Sequence, residues 1–262
     1  MTVKKLKETI KLVRVYEWME KLQVVFVACF ILLIAMPHTW RFLGALIVLG
    51  LYMLFLGSYG YTINSYCDRE QDAKVGKQPE ILYFSDQQVL IILLALAFFS
   101  LGIPIYFTDI KIRVLGIVTF FLVTFYSLKP IRFKERGLWG ISVATLTQRP
   151  LPFLLFAFLV PCDEKLAWFL FGWLCFIGVL IILAHQIIDL YNDEKAGVST
   201  WAVRAGESRA KKWLRLIIIL MLAYIFTPLF TMGLVLGSAL SLTLLIFSNI
   251  AITYSIDAVK KV

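Results

Sequence analysis

From residue 216 to residue 256 the chain runs for 41 positions without a charged side chain. A helix crosses the hydrocarbon core of a bilayer with about 20 mostly apolar residues, so this run is too long for one crossing and fits two. The turn is expected near Thr231-Met232-Gly233. Apolar runs over residues 22–38, 42–63, 87–108, 114–128, 137–160 and 166–188 each fit one crossing, the fifth interrupted by Arg149. The expected fold class is all-α: a multi-pass transmembrane helical bundle of about eight helices, with residues 1–262 forming a single domain. Composition agrees, because 16% of the residues are charged where a soluble domain carries about 25%.

Lys and Arg outnumber Asp and Glu by 26 to 17. In a membrane protein such an excess belongs to cytoplasmic loops, and it implies no nucleic acid partner. With eight crossings, 21 of the basic residues fall on the side that holds both termini and 4 on the other, with Arg149 inside a span. That bias puts both termini in the cytoplasm and predicts a multi-pass integral membrane protein, of the plasma membrane if the source is bacterial. Cys29, Cys67, Cys162 and Cys175 are scattered and make no C-x-x-C pair, which argues against a disulfide framework, redox chemistry or zinc. The first 21 residues mix basic and acidic side chains, so no cleavable signal peptide is expected. Leu6, Ile10, Val13 and Trp18 are expected to form the apolar edge of a helix lying in the membrane interface.

Two polar motifs follow apolar runs. Asn64, Asp68 and Asp72 stand four residues apart after the second run, a spacing that stacks them on one helix face. Two carboxylates and an amide in a row repel one another unless a cation lies between them, and hard oxygen ligands suit magnesium. A solvated helix end is the plainer alternative. The sixth run leads through His185-Gln186 to Asp189 and Asp193, again four apart and on the same side of the membrane. Four carboxylates converging at the mouth of an apolar bundle are unfavourable alone, and understandable if they hold magnesium ions bridging substrate phosphates. The bundle beneath would take a hydrocarbon tail.

Asn64-x-x-x-Asp68-x-x-x-Asp72 and Asp189-x-x-x-Asp193-x-x-x-Gly197 resemble the two aspartate-rich motifs of the UbiA superfamily of intramembrane prenyltransferases. The stretch Tyr126-Ser127-Leu128-Lys129-Pro130-Ile131-Arg132-Phe133-Lys134 resembles that family's basic loop, and the resemblance covers nearly the whole chain in order. It implies a magnesium cofactor held by Asn64, Asp68, Asp72, Asp189 and Asp193, with the four aspartates catalytic. It also implies a polyprenyl diphosphate donor and transfer of the prenyl group to an aromatic or other lipophilic acceptor within the membrane. A membrane terpene cyclase of the same superfamily, in which the prenyl cation closes on its own double bonds, is the alternative. Lys129, Arg132 and Lys134 are candidates to neutralise the diphosphate, with Lys77 and Arg204 weaker ones; a plain positive-inside loop is their other reading. Two features depart from the family. It commonly shows nine helices, and many members carry an Arg-Pro pair after the first motif where Gln78-Pro79 stands here.

Arg149 lies 12 residues beyond Gly137, about 18 Å into the fifth helix at the α-helical rise. A charge at that depth persists only where it faces a cavity or a partner, and no Asp or Glu lies at comparable depth. Pro150 and Pro152 free the carbonyls of Leu146 and Gln148 and should kink the helix, so exposed backbone is one partner for it. The other reading makes Arg149, with Gln148 and His185, substrate-binding: these residues line the inner cavity and orient a polar or anionic group of the acceptor. A transporter is the rival from another class. It would want acids deep within the spans, whereas all 17 here lie in loops or at helix ends.

Overall fold

The computed structural model describes residues 11–34, 40–74, 76, 80–231 and 234–261, and among them there is no strand. The helices are α1 (Val15–Ile34), α2 (Trp40–Lys74), α3 (Asp86–Tyr106), α4 (Ile110–Ser127), α5 (Leu138–Gln148), α6 (Pro150–Leu159), α7 (Glu164–Ile188), α8 (Leu190–Ala196), α9 (Trp201–Ala205), α10 (Glu207–Ile225), α11 (Pro228–Thr231) and α12 (Leu234–Lys261), with short 3-10 helices at Glu80–Tyr83 and Phe133–Glu135. Among the described residues seven helical segments are long and apolar enough to cross a membrane, α5 and α6 together forming one of them. The expected first crossing is a shorter apolar helix, Leu22–Ile34, whose remaining residues lie outside the described ones. Leu6, Ile10, Lys77, Gln78-Pro79 and the Met232-Gly233 turn also fall outside them.

The starts of three crossings are written locally. Ser85 accepts from the Gln88 amide while the Gln88 side chain accepts from the Ser85 amide, a capping box that opens α3. Asp109 and Asp163 cap α4 and α7 in the same sense, each side chain taking a backbone N–H of the first turn. Two of the acids near the spans are thereby used as caps.

In lipid, apolar contact between helices carries little hydrophobic drive, so association rests on close packing and interhelical hydrogen bonds. α7 is the helix around which the second half packs, against α5, α10 and α12. Its Trp173 is fully buried and donates from Nε1 to Ser248 Oγ of α12 at 2.9 Å. Tyr224 of α10 donates to the Phe169 carbonyl at 2.9 Å and stacks on the Phe169 ring. α3 is the opposite case: its mean hydropathy is 2.6 yet only 17% of it is buried, so most of its apolar surface faces outward. It approaches α4 closely because position 116 is glycine; a Cβ there would stand 2.3 Å from Cβ of Pro104.

Two features position the site. α2 is 35 residues long, about 52 Å at the α-helical rise, against a hydrocarbon core of about 30 Å. Its C-terminal part, which carries the first motif, therefore projects well beyond the apolar run. The fifth crossing is broken where the two prolines predict it: Arg149 has φ −141° and ψ −65°, α5 ends before it, and α6 starts on Pro150.

Candidate active site

A cavity of about 830 Å³ joins the two motifs. α2 lines it along a single stripe from Met53 and Leu56 through Gly57, Gly60 and Tyr61 to Asn64, Asp68 and Asp72. This stripe spans 20 residues, about 28 Å of helix from first to last, and grades from apolar to acidic. α7 and α8 supply His185, Asp189, Asn192 and Asp193. Val123 and Tyr126 of α4 and Ala144, Thr147 and Gln148 of α5 complete much of the wall. All four aspartates singled out by the sequence thus line one cavity, although among the described residues no three His, Cys, Asp or Glu side chains stand close enough to hold a metal ion by themselves.

The second motif bends because of its own residues. α7 ends at Asp189, whose ψ of 2° leaves the helical range, and α8 resumes directly behind it. α8 closes at Gly197, which has φ 75° and returns its N–H to the carbonyls of Asp193 and Glu194. That left-handed cap is nearly free for glycine and unfavourable for side chains bearing Cβ. Val198 N also donates to the Asp193 carbonyl at 2.8 Å, so both sides of the turn are pinned to the motif.

The first motif is not a bare row of acids. Asp68 is buried, and its Oδ1 accepts from Arg132 Nη2 at 3.1 Å and from Lys134 Nζ. Expected as unpaired and crowded, this carboxylate is instead neutralised by the basic loop, which folds back over the helix end. Arg132 reaches it from a left-handed backbone, φ 44° and ψ 64°. That conformation costs a non-glycine residue about 1 kcal/mol. It is offset by hydrogen bonds to Gln71 Oε1 at 2.9 Å and Glu135 Oε1 at 2.6 Å besides Asp68. Asn64 is also engaged, since its Oδ1 accepts from Ser127 Oγ at 2.7 Å.

The remaining candidates divide. Lys134 is buried and lines the cavity. Lys129 is exposed and is not part of the lining, and the Lys129–Pro130 peptide that follows is cis. Arg204 is exposed and donates to the Glu135 carbonyl and, from Nε, to Ser199 Oγ at 2.8 Å, tying the basic loop to the loop after the second motif. His185 lines the cavity and its Nδ1 is 2.9 Å from the Tyr254 hydroxyl of α12. Its neighbour Gln186 has a structural bond, accepting from Ala202 N at 3.2 Å. Arg149 is buried, with only 3% exposure, and is not among the residues that line the cavity. Of the three residues expected there only Gln148 and His185 line it: the break before Pro150 leaves Arg149 packed within the protein.

Sequence reasoning missed Ser127, Gln71 and Asn192. Gln71 could have been found from the α2 stripe, being three residues from Asp68 on the same face. Trp18, expected on an interfacial helix, is buried and lines the cavity, packed on α2 where Gly57 leaves room: a Cβ at 57 would stand 3.1 Å from its Cβ. Tyr126, near the end of α4, lines the same cavity as Asp68 and Asp193 and so belongs to the wall common to the two motifs.

An all-helical membrane bundle with an apolar cavity ending in two aspartate motifs defines a class of intramembrane proteins, and the sequence places the chain within it. Residues 24–261 match the model of the UbiA prenyltransferase family, and the chain belongs to that family. Among solved structures, a UbiA homolog from Archaeoglobus fulgidus bound to DMAPP and Mg2+ superposes with a TM-score of 0.72 at 16% identity, covering 97% of this chain and 100% of that one. The same homolog bound to GPP and Mg2+ gives a TM-score of 0.72 at 17% identity, over 97% of this chain and 99% of that one. A structure of digeranylgeranylglyceryl phosphate synthase is similar with a TM-score of 0.66 at 16% identity, over 98% of this chain and 100% of that one. At these identities the likeness establishes the fold. No curated protein matches the chain.

Proposed function

We propose that the protein is a magnesium-dependent prenyltransferase that moves a prenyl group from a polyprenyl diphosphate to a lipophilic acceptor inside the membrane. The observation that carries this reading is the single cavity that grades along α2 from Met53 and Leu56 to Asp68 and Asp72 and meets Asp189 and Asp193 at its acidic end. An amphiphile with an apolar tail and a diphosphate head has that same gradation. Family membership and the magnesium- and prenyl-diphosphate-bound relatives support the donor class.

The donor set fits magnesium, which usually takes one or two carboxylates together with substrate phosphates rather than an all-protein cage. Asn64, Asp68 and Asp72 would hold it from one side and Asp189 and Asp193 from the other, where it supplies charge neutralisation to the departing diphosphate. Lys134 and Arg132, already buried at Asp68, add fixed positive charge beside the head group. The allylic C–O bond breaks with its electron pair going to diphosphate. The resulting cation is captured by a nucleophilic atom of the acceptor, which then loses a proton. Tyr126 and Tyr61 line this region, and the apolar wall keeps water from the cation. On the same reading both motifs and both termini face the cytoplasm, where 21 of the basic residues lie.

The test is product analysis. Purified protein is incubated with magnesium and prenyl diphosphates of several lengths, with and without a membrane extract, and products are identified by mass. Magnesium-dependent diphosphate release with a prenylated lipid supports transfer. Cyclic hydrocarbon formed without extract would replace transfer by cyclisation, and no release from any donor would overturn the reading.

A further inference from the structure

The apolar limb of the cavity ends inside the protein. Along α2 its lining runs from Asn64 through Tyr61, Gly60, Gly57 and Leu56 to Met53, and among the described residues nothing earlier on α2 lines it. Leu49 is the next residue on that helix face. It is fully buried and belongs to the packed cluster that joins Val25 and Cys29 of α1 to Phe153 and Phe156 of α6. Met53 is part of the same cluster and only 5% exposed, so it stands between the limb and the core. The facing wall closes as well. On α7 the lining stops at Ile182, and one turn deeper a Cβ on Gly178 would stand 2.6 Å from Cγ2 of Thr145, so α5 and α7 touch there.

Two glycines keep the limb open. A Cβ on Gly60 would stand 2.9 Å from Cγ1 of Val123, which lines the opposite side, and Trp18 packs on α2 at Gly57. With its walls this close, what the limb can measure is length. Met53 lies eleven residues before Asn64, the motif residue nearest the limb, about 16 Å along the helix. An extended chain advances about 1.2 Å per bond, as the polypeptide backbone does, so an isoprene unit of four chain bonds adds roughly 5 Å. Three units span the limb, and a fourth meets Met53.

We propose that Met53 is the end-stop of this limb and sets the prenyl donor to three isoprene units, a farnesyl-length chain. The proposal rests on the reading of the cavity as a prenyl diphosphate site and adds the length of the tail. An unbranched thioether fills the end of the limb without a rigid shape of its own. A longer tail must push Met53 into a core already packed around Leu49, Phe153 and Phe156, or fold back on itself. A shorter one leaves the end unfilled and forgoes the burial of a whole isoprene unit.

The experiment measures binding of geranyl, farnesyl and geranylgeranyl S-thiolodiphosphates, which keep the head group and resist its release, to the purified full chain in detergent with magnesium. The farnesyl analogue should bind most tightly and the geranylgeranyl one at least about tenfold more weakly, the scale on which an apolar pocket rejects added carbon. Met53→Ala should bring geranylgeranyl level with farnesyl or past it, and Met53→Trp should move the optimum to geranyl. Leu49→Ala, one turn beyond the limb, removes comparable packing and should keep the wild-type ratio. Because each ratio is taken within one variant, it does not depend on the fraction of protein that folds. A wild-type optimum at another length, or none, overturns the proposal; a flat profile would mean that the tail leaves sideways between helices. So does a wild-type ratio in Met53→Ala, or an equal shift in Leu49→Ala. Turnover of the ordinary diphosphates separates the two readings. Release from all three donors without length preference leaves the transferase and removes the end-stop, whereas length-selective binding with release from none leaves the end-stop and removes the transferase.

Discussion

Lys134 donates a hydrogen bond to Oδ1 of Asp68, although 66 residues separate them along the chain. Arg132 uses the same oxygen, so the first motif carries its own cations. A ligand that recruits Asp68 must compete with them or share them, and both cations are then already placed to meet a phosphate.

Asp68→Asn and Asp189→Asn should therefore separate in stability while agreeing in activity. Each should lower magnesium-dependent diphosphate release by at least about a hundredfold, the scale of losing one charge-stabilising group. Asp68→Asn also leaves the buried Lys134 without its carboxylate, while Arg132 keeps Glu135, and this costs about 3 kcal/mol. Asp189 has no ion pair among the described residues, and its substitution should leave the unfolding temperature nearly unchanged. Thermal unfolding in detergent reads the difference; equal temperatures would show that the Asp68 pairing contributes little.

The basic loop should divide in the same way. Lys134→Gln is expected to raise KM for the prenyl diphosphate at least about tenfold, because it removes a buried charge-assisted donor. Lys129 is exposed and lies outside the cavity lining, so Lys129→Gln should stay within about twofold. Initial rates across donor concentration distinguish them, and a larger effect at Lys129 would return it to the site.

Cys67, beside Asp68, and Cys162, between α6 and α7, test the orientation. In sealed vesicles of known sidedness an impermeant maleimide should reach Cys67 from the cytoplasmic face and Cys162 from the opposite one; the reverse would invert the topology. Burial first, then Glu164 and Asp163, push the Cys162 thiol above its usual range. At a given pH it therefore holds less thiolate than a free cysteine. Its labelling should be slow near neutrality and keep rising after a free cysteine's rate has levelled off.

Gly116→Ala should destabilise the α3–α4 pair by about 1–3 kcal/mol, since the new methyl meets the Pro104 ring and neither backbone can yield easily. The double variant Gly116→Ala, Pro104→Ala should recover part of the loss in unfolding temperature. Additive losses would place the strain elsewhere.

What was legible in the sequence was what repeats locally. Apolar runs led to seven of the eight expected crossings, the four-residue spacing to the stripe from Asn64 to Asp72, and Pro150 and Pro152 to the break at Arg149. The spacing also led to the expectation that Asp68 stands among uncompensated acids, because periodicity along one helix says nothing about a loop folding over its end. The hydrogen bonds of Arg132 to Asp68, Ser127 to Asn64 and Arg204 to Glu135 each join positions more than 60 residues apart. None leaves a local signature. Trp18 was misplaced for a related reason: an amphipathic edge identifies an apolar face, while the room left by Gly57 decides what that face meets.

The length of α2 has a consequence for the fate of the products. Eleven residues of it, Asn64 among them, follow the apolar run 42–63, about 16 Å of helix beyond the hydrocarbon boundary. On the proposed reaction the bond that breaks lies at the border between two solvents. Diphosphate is freed on the aqueous side of that border and the lengthened lipid on the oily side, so each fragment is released into the phase that dissolves it. Partition alone then separates them and opposes their recombination, with no pump or gate required to clear the site.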